Sequence, residues 1–120
     1  MITIYHNPRC SKSRETLELV QEVAQRKNLA LHIVEYLKTP PTLQELTALH
    51  TQLGIQVRDM LRDNEEEYAS LNLADANDAA LLAAVAGHPK LLQRPIVSYR
   101  GQALVGRPPE RVLALFDDSK

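Results

Sequence analysis

A chain of 120 residues has room for one domain, and 44% apolar residues are enough for a core, which excludes a disordered chain. The formal charge of −1 excludes a global basic field for nucleic acid or anionic membranes, so neither is expected as a partner. A single cysteine, Cys10, excludes an intramolecular disulfide and any zinc site needing two cysteines, and leaves one thiol that is either inert or reactive.

Four tyrosines, one phenylalanine and no tryptophan point to an aliphatic core. Ile2-Thr3-Ile4-Tyr5 alternates and is rich in β-formers, so it reads as a strand, which His6-Asn7-Pro8-Arg9 breaks. From Ser11 to about Lys27 the spacing of Leu17, Val20, Val23 and Ala24 is helical. Leu31 to Tyr36 reads as a second strand, which completes a βαβ unit. Pro40-Pro41 stops it, and Thr42-Leu43-Gln44-Glu45 is a capping box that opens a helix with Leu43, Leu46, Leu49 and Leu53 on one face and Gly54 as its stop.

A shorter helix is predicted near Val57 to Asp63, closed by Arg62. Glu65-Glu66-Glu67 reads as solvated surface, and a further helix as running from about Asp78 to Ala86. Ile96–Tyr99, Arg100-Gly101 and Gln102–Val105 form a predicted β-hairpin. Gly106-Arg107-Pro108-Pro109 then leads into a last helix carrying Val112, Leu113, Leu115 and Phe116. This order is that of an α/β, thioredoxin-like domain over 1–120 with an α-helical insertion at about 42–90. No apolar run approaches the ~18 residues of a membrane span and no basic leader opens the chain, so a cytoplasmic protein is expected.

Cys10 falls between a strand end and a helix start, with His6, Arg9, Lys12 and Arg14 in the same stretch. A helix N-terminus and cationic neighbours both favour thiolate over thiol, which points to a reactive cysteine rather than a core one. The same surroundings suit a tetrahedral oxyanion. Arg94 before Pro95, Arg107 before Pro108-Pro109, and Arg62 stand at element edges, where planar guanidinium forks match such an anion. Position 16 is Thr, so the Cys-x5-Arg loop of cysteine phosphatases is absent, and position 13 is Ser, so a Cys-x-x-Cys dithiol is absent too. His32, His50 and His88 lack ligand-like spacing, and no metal, flavin or nucleotide site is expected. His6 is read either as orienting the loop or holding the thiolate, or as capping the strand.

The run Ile2-Thr3-Ile4-Tyr5-His6-Asn7-Pro8-Arg9-Cys10-Ser11-Lys12-Ser13-Arg14 resembles the active-site opening of the glutaredoxin-linked arsenate reductase family. The resemblance continues through Tyr36–Pro41, Val57–Arg62, Leu92–Val97 and Gly106-Arg107-Pro108, in the family's order. Ser11-Lys12 after the cysteine resembles a shorter subgroup. The resemblance implies that Cys10 is the nucleophile, that Arg62, Arg94 and Arg107 bind the oxyanion, and that His6, Ser13, Arg14 and Pro95 support the site. It also implies a cis Arg94-Pro95 bond. The implied activity is reduction of arsenate to arsenite through a covalent cysteine–arsenic adduct, with no bound cofactor, glutathione as cosubstrate and glutaredoxin as partner. The alternatives are a non-catalytic thiol regulator of the same fold, or a glutathione-dependent thiol transferase acting on another substrate.

Overall fold

The computed structural model describes residues 1–116, so the last four positions of the expected 1–120 domain lie outside the described residues. The chain divides into two compact units, one formed by Met1–Tyr36 with the chain from Arg94 onward, the other by Leu37–Gln93. The helix signals alone place the insertion at about 42–90.

The first unit holds a four-stranded sheet in the order β2-β1-β3-β4. Strand β1 (Ile2–His6) pairs in parallel with β2 (Leu31–Glu35), through helix α1 (Ser11–Lys27). It pairs antiparallel with β3 (Ile96–Tyr99), which turns directly into β4 (Gln102–Val105). Both hairpin turn residues have positive φ, Arg100 at 53° and Gly101 at 77°, the twist a two-residue connection needs. Ile2, Ile4 and His6 share the buried face of β1, as a period of two requires. The two isoleucines pack with Val20, Val23, Ala24, Val97, Tyr99, Val112 and Phe116 in a core that is mainly aliphatic, with the Tyr99 and Phe116 rings in contact.

The buried stripe of α1 begins earlier than its apolar residues do. Ser13 and Thr16 are fully buried ahead of Val20, Val23 and Ala24, whereas Leu17 is only half-buried. The closing segment Pro109–Phe116 is a 3₁₀ helix rather than the α-helix expected, with Leu113 exposed. It still buries Pro109 and Val112, which stand three apart and so eclipse on a 3₁₀ helix, together with Phe116 at its end.

In the second unit, α2 (Leu43–Leu53) starts at the expected capping box. The Glu45 N–H donates to Thr42 Oγ1 at 3.1 Å and the Thr42 N–H to Glu45 Oε1 at 2.9 Å. Leu46, Leu49 and Leu53 are buried, but Leu43, expected on the same face, is 48% exposed. It occupies the first turn, before the stripe meets its neighbours. The predicted Val57–Asp63 helix is a single 3₁₀ turn, Val57–Met60. Arg62 therefore does not close a helix: it follows Leu61, which bridges to Leu92. Part of the acidic run forms a five-residue helix, α3 (Glu66–Ser70), and α4 covers Asp78–Gly87. Arg58 binds this unit together, with Nη1 donating to the Tyr68 hydroxyl and the Leu73 carbonyl at 2.8 and 3.0 Å, and Nη2 to the Ala76 carbonyl at 2.8 Å.

Candidate active site

Asn7 and Pro8 build the loop that carries Cys10. The Cys10 N–H donates to the Asn7 carbonyl at 3.0 Å, and the Arg9 N–H donates to Asn7 Oδ1 at 3.0 Å. Pro8 sits where its fixed φ suits such a turn. Cys10 is thereby delivered, half-buried, as the N-cap of α1, its carbonyl accepting from the Arg14 N–H at 3.0 Å and its side chain making no capping hydrogen bond. The first helical turn carries no acidic side chain. The partial positive charge of a helix N-terminus is therefore not offset within that turn.

Two of the basic neighbours have partners of their own. Arg14 Nη1 donates to the Pro8 carbonyl at 2.9 Å, so its guanidinium braces the loop. Lys12 Nζ lies 3.5 Å from the Glu15 carboxylate. His6 is buried, and its pKa is held below the ordinary value near 6.5, chiefly by desolvation and further by Arg14, with Glu35 acting in the opposite direction. At neutral pH His6 is therefore an uncharged ring, which removes one of the cations expected from the sequence.

That neutral ring has a structural partner. His6 Nδ1 lies 2.6 Å from Ser13 Oγ, and the same oxygen accepts the Asn7 N–H at 3.0 Å. A ring protonated on Nε2 satisfies the set, since the Ser13 hydroxyl then donates to Nδ1 while accepting from Asn7. Ser13 thus ties the end of β1 to the first turn of α1 on either side of Cys10.

Because the native state disfavours imidazolium, the unfolded chain binds the His6 proton more readily. This contribution to stability is complete above pH 6.5 and is lost as pH falls through the lower native value. Stability measured by denaturant unfolding should therefore drop more steeply below pH 6.5 in the wild type than in His6→Gln. Parallel pH profiles for the two proteins would show that the histidine is not held neutral.

Topology brings two of the three candidate arginines to the Cys10 end of the sheet. Tyr5 pairs with Ile96 and Ile96 with Val105, so the end of β1, the start of β3 and the end of β4 lie together. Arg94-Pro95 precedes β3 and Gly106-Arg107 follows β4, and the Gly106 N–H donates to the Pro95 carbonyl at 2.9 Å. Both X-Pro bonds, Arg94-Pro95 and Arg107-Pro108, are cis, although the sequence reading expected only the first. Thr16 reaches the same point: a Cβ placed on Gly106 would lie 2.8 Å from Thr16 Oγ1 and 2.9 Å from Pro95 Cγ. Glycine is needed there for α1 and both arginine-bearing segments to close on one another. The Arg94 Nε–H is buried and has no acceptor among the described residues.

Arg62 belongs to the second unit. Its N–H donates to the Leu91 carbonyl at 2.7 Å, and its Nη1 donates to Glu65 Oε1 at 2.7 Å. Asn7, Thr16, Gly106 and Glu65 were not singled out by sequence reasoning. Only Asn7 carried a signal, since Asn-Pro is a turn-forming pair. Among the described residues, no three His, Cys, Asp or Glu side chains are grouped as metal ligands, and no helix is long and apolar enough to cross a membrane.

A βαβ unit followed by an antiparallel hairpin, with a lone cysteine opening the first helix and serine three positions on, defines a thioredoxin-like protein of Cys-x-x-Ser type. The chain belongs to the ArsC family, whose model matches residues 5–115. It is similar to a solved structure of arsenate reductase from Vibrio cholerae, with 51% identity, a TM-score of 0.86, and coverage of 95% of this chain and 96% of that one. It is also 46% identical to an arsenate reductase of Neisseria meningitidis serogroup A, over 96% of this chain and 97% of the relative. An arsenate reductase of Haemophilus influenzae is 44% identical, over 96% and 98% of the two chains.

Proposed function

We propose that this protein reduces arsenate to arsenite using glutathione and glutaredoxin, with Cys10 as the nucleophile and Arg62, Arg94 and Arg107 as the oxyanion-binding residues. The observation that carries this reading is the buried Arg94 Nε–H, which has no acceptor among the described residues and stands at the sheet end that also presents Cys10. A buried charged donor left unmatched is costly, and a bound oxyanion supplies the acceptor. Membership of the ArsC family and similarity to proteins named arsenate reductases support the same substrate.

In the proposed reaction the Cys10 thiolate attacks arsenic(V), forming an S–As bond as one As–O bond breaks and its oxygen leaves as water. Glutathione adds a second sulfur to arsenic with loss of another water. A glutaredoxin thiolate then attacks the glutathione sulfur, forming a mixed disulfide and returning the electron pair of the broken S–As bond to arsenic. Arsenic is thereby reduced to arsenic(III), the two sulfurs of the new disulfide are oxidised, and hydrolysis of the remaining S–As bond releases arsenite and Cys10.

Ser13 stands where a resolving cysteine would be, buried and hydrogen-bonded to His6 and Asn7. The second thiol must therefore come from outside the chain. Turnover with glutathione plus glutaredoxin should exceed turnover with thioredoxin plus its reductase by at least about tenfold at matched reductant flux. Equal rates, or full activity with thioredoxin and no glutathione, would refute the glutathione route. No arsenate turnover in either system would refute the reductase reading.

A further inference from the structure

We propose that Glu65 is a positioning residue for oxyanion binding, acting through Arg62; the inference rests on the oxyanion-binding reading of Arg62 given above. The sequence shows only three consecutive glutamates, but the structure separates the first from the rest. Glu66 is exposed at the start of α3, whereas Glu65 accepts a 2.7 Å hydrogen bond from Arg62, with the two side chains only 27% and 14% exposed.

Arg62 is held at both ends. Its backbone is tied to the Leu91 carbonyl, and the neighbouring positions are secured by the Leu61–Leu92 bridge and by Gln93, whose N–H donates to the Met60 carbonyl at 2.8 Å and whose Nε2 donates to the Leu61 carbonyl at 3.0 Å. Glu65 fixes the guanidinium through Nη1. A guanidinium carries five N–H donors in a plane, so one can be held by a carboxylate while others are offered in a fixed direction. The side chain then loses its rotamer freedom on folding rather than on binding, which favours affinity. A carboxylate can instead compete with an incoming anion for Arg62, and the two effects have opposite signs.

The test is an arsenate titration followed by amide and arginine Nε–H resonances, in a Cys10→Ser background that permits no turnover. Glu65→Gln should raise the arsenate Kd about threefold to tenfold, the range expected when one long side chain must be ordered on binding. It should also broaden the Arg62 Nε–H signal. Glu66→Gln, an equal change of charge on the neighbouring residue, should leave both unchanged. In an Arg62→Ala background, Glu65→Gln should have no further effect.

An unchanged or lower Kd in Glu65→Gln overturns the proposal, as does an effect that persists without Arg62. If Arg62→Ala weakens binding and Glu65→Gln does not, only the positioning role fails. If Arg62→Ala has no effect, or arsenate does not bind, the oxyanion role of Arg62 fails and the inference with it. Should Glu65→Gln not fold, Glu65→Asp retains the carboxylate on a shorter arm and is expected to raise the Kd in the same Arg62-dependent way; an unchanged Kd in that folded variant overturns the proposal.

Discussion

Cys10→Ser should abolish arsenate turnover while leaving the protein folded. The hydroxyl is nearly the size of the thiol but does not ionise near neutral pH, so the proposed S–As bond cannot form. The expected loss is a factor on the order of 10⁶, or a fall to the background reaction of glutathione with arsenate if that is reached first. The fold should tolerate the change because Cys10 is half-buried and makes no side-chain cap hydrogen bond. Serine is a favoured N-cap, and its hydroxyl could accept from an N–H of the first turn, a contact typically worth about 1 kcal/mol. Coupled NADPH consumption measures the first effect and denaturant unfolding the second. Substantial turnover in a folded Cys10→Ser protein would remove the nucleophile assignment.

The second large effect is expected from Arg94→Lys and Arg107→Lys. Lysine keeps the charge but loses the planar fork, and at position 94 it also removes the buried Nε–H that lacks an acceptor among the described residues. A charged hydrogen bond lost in the transition state corresponds to about 2–3 kcal/mol, or about 30- to 150-fold in kcat/KM. Stability should change little at Arg94, because the deleted Nε–H donor makes no hydrogen bond among the described residues. Arg26 and Arg111, exposed on α1 and on the last 3₁₀ helix, are the appropriate controls. Arg58 is not: its three hydrogen bonds hold the second unit, so its loss would be read as unfolding. Equal losses at positions 26, 94, 107 and 111 would mean that net charge, not a site, was being measured.

Much of the local structure could be read from the sequence because its determinants lie within a few residues of one another. The Thr42–Glu45 capping box, the Gly54 stop and the Arg100-Gly101 hairpin turn are satisfied by bonds and dihedrals inside their own segments. The motif around Cys10 was similarly legible, since Asn7 and Pro8 set the turn that presents it. Periodicity failed where tertiary packing chose the buried face. Leu43 points to solvent although it shares the spacing of its helix, while Ser13 and Thr16 are buried although they are polar.

The sequence by itself therefore determined the order of the strands and longer helices, the capping box and hairpin turn, the family resemblance and the candidate residues. Only the tertiary structure decided their partners. Antiparallel pairing of β1 with β3 brought Arg94 and Arg107 to the end of the sheet that carries Cys10, across more than eighty residues of chain. Burial made His6 a neutral partner of Ser13 rather than a further cation beside the thiol. Glu65 was set apart from an otherwise uniform acidic run by its bond to Arg62. The physical reason is common to all three: charge state and pairing depend on desolvation and on groups distant in sequence, and neither is encoded in the spacing of residue types along the chain.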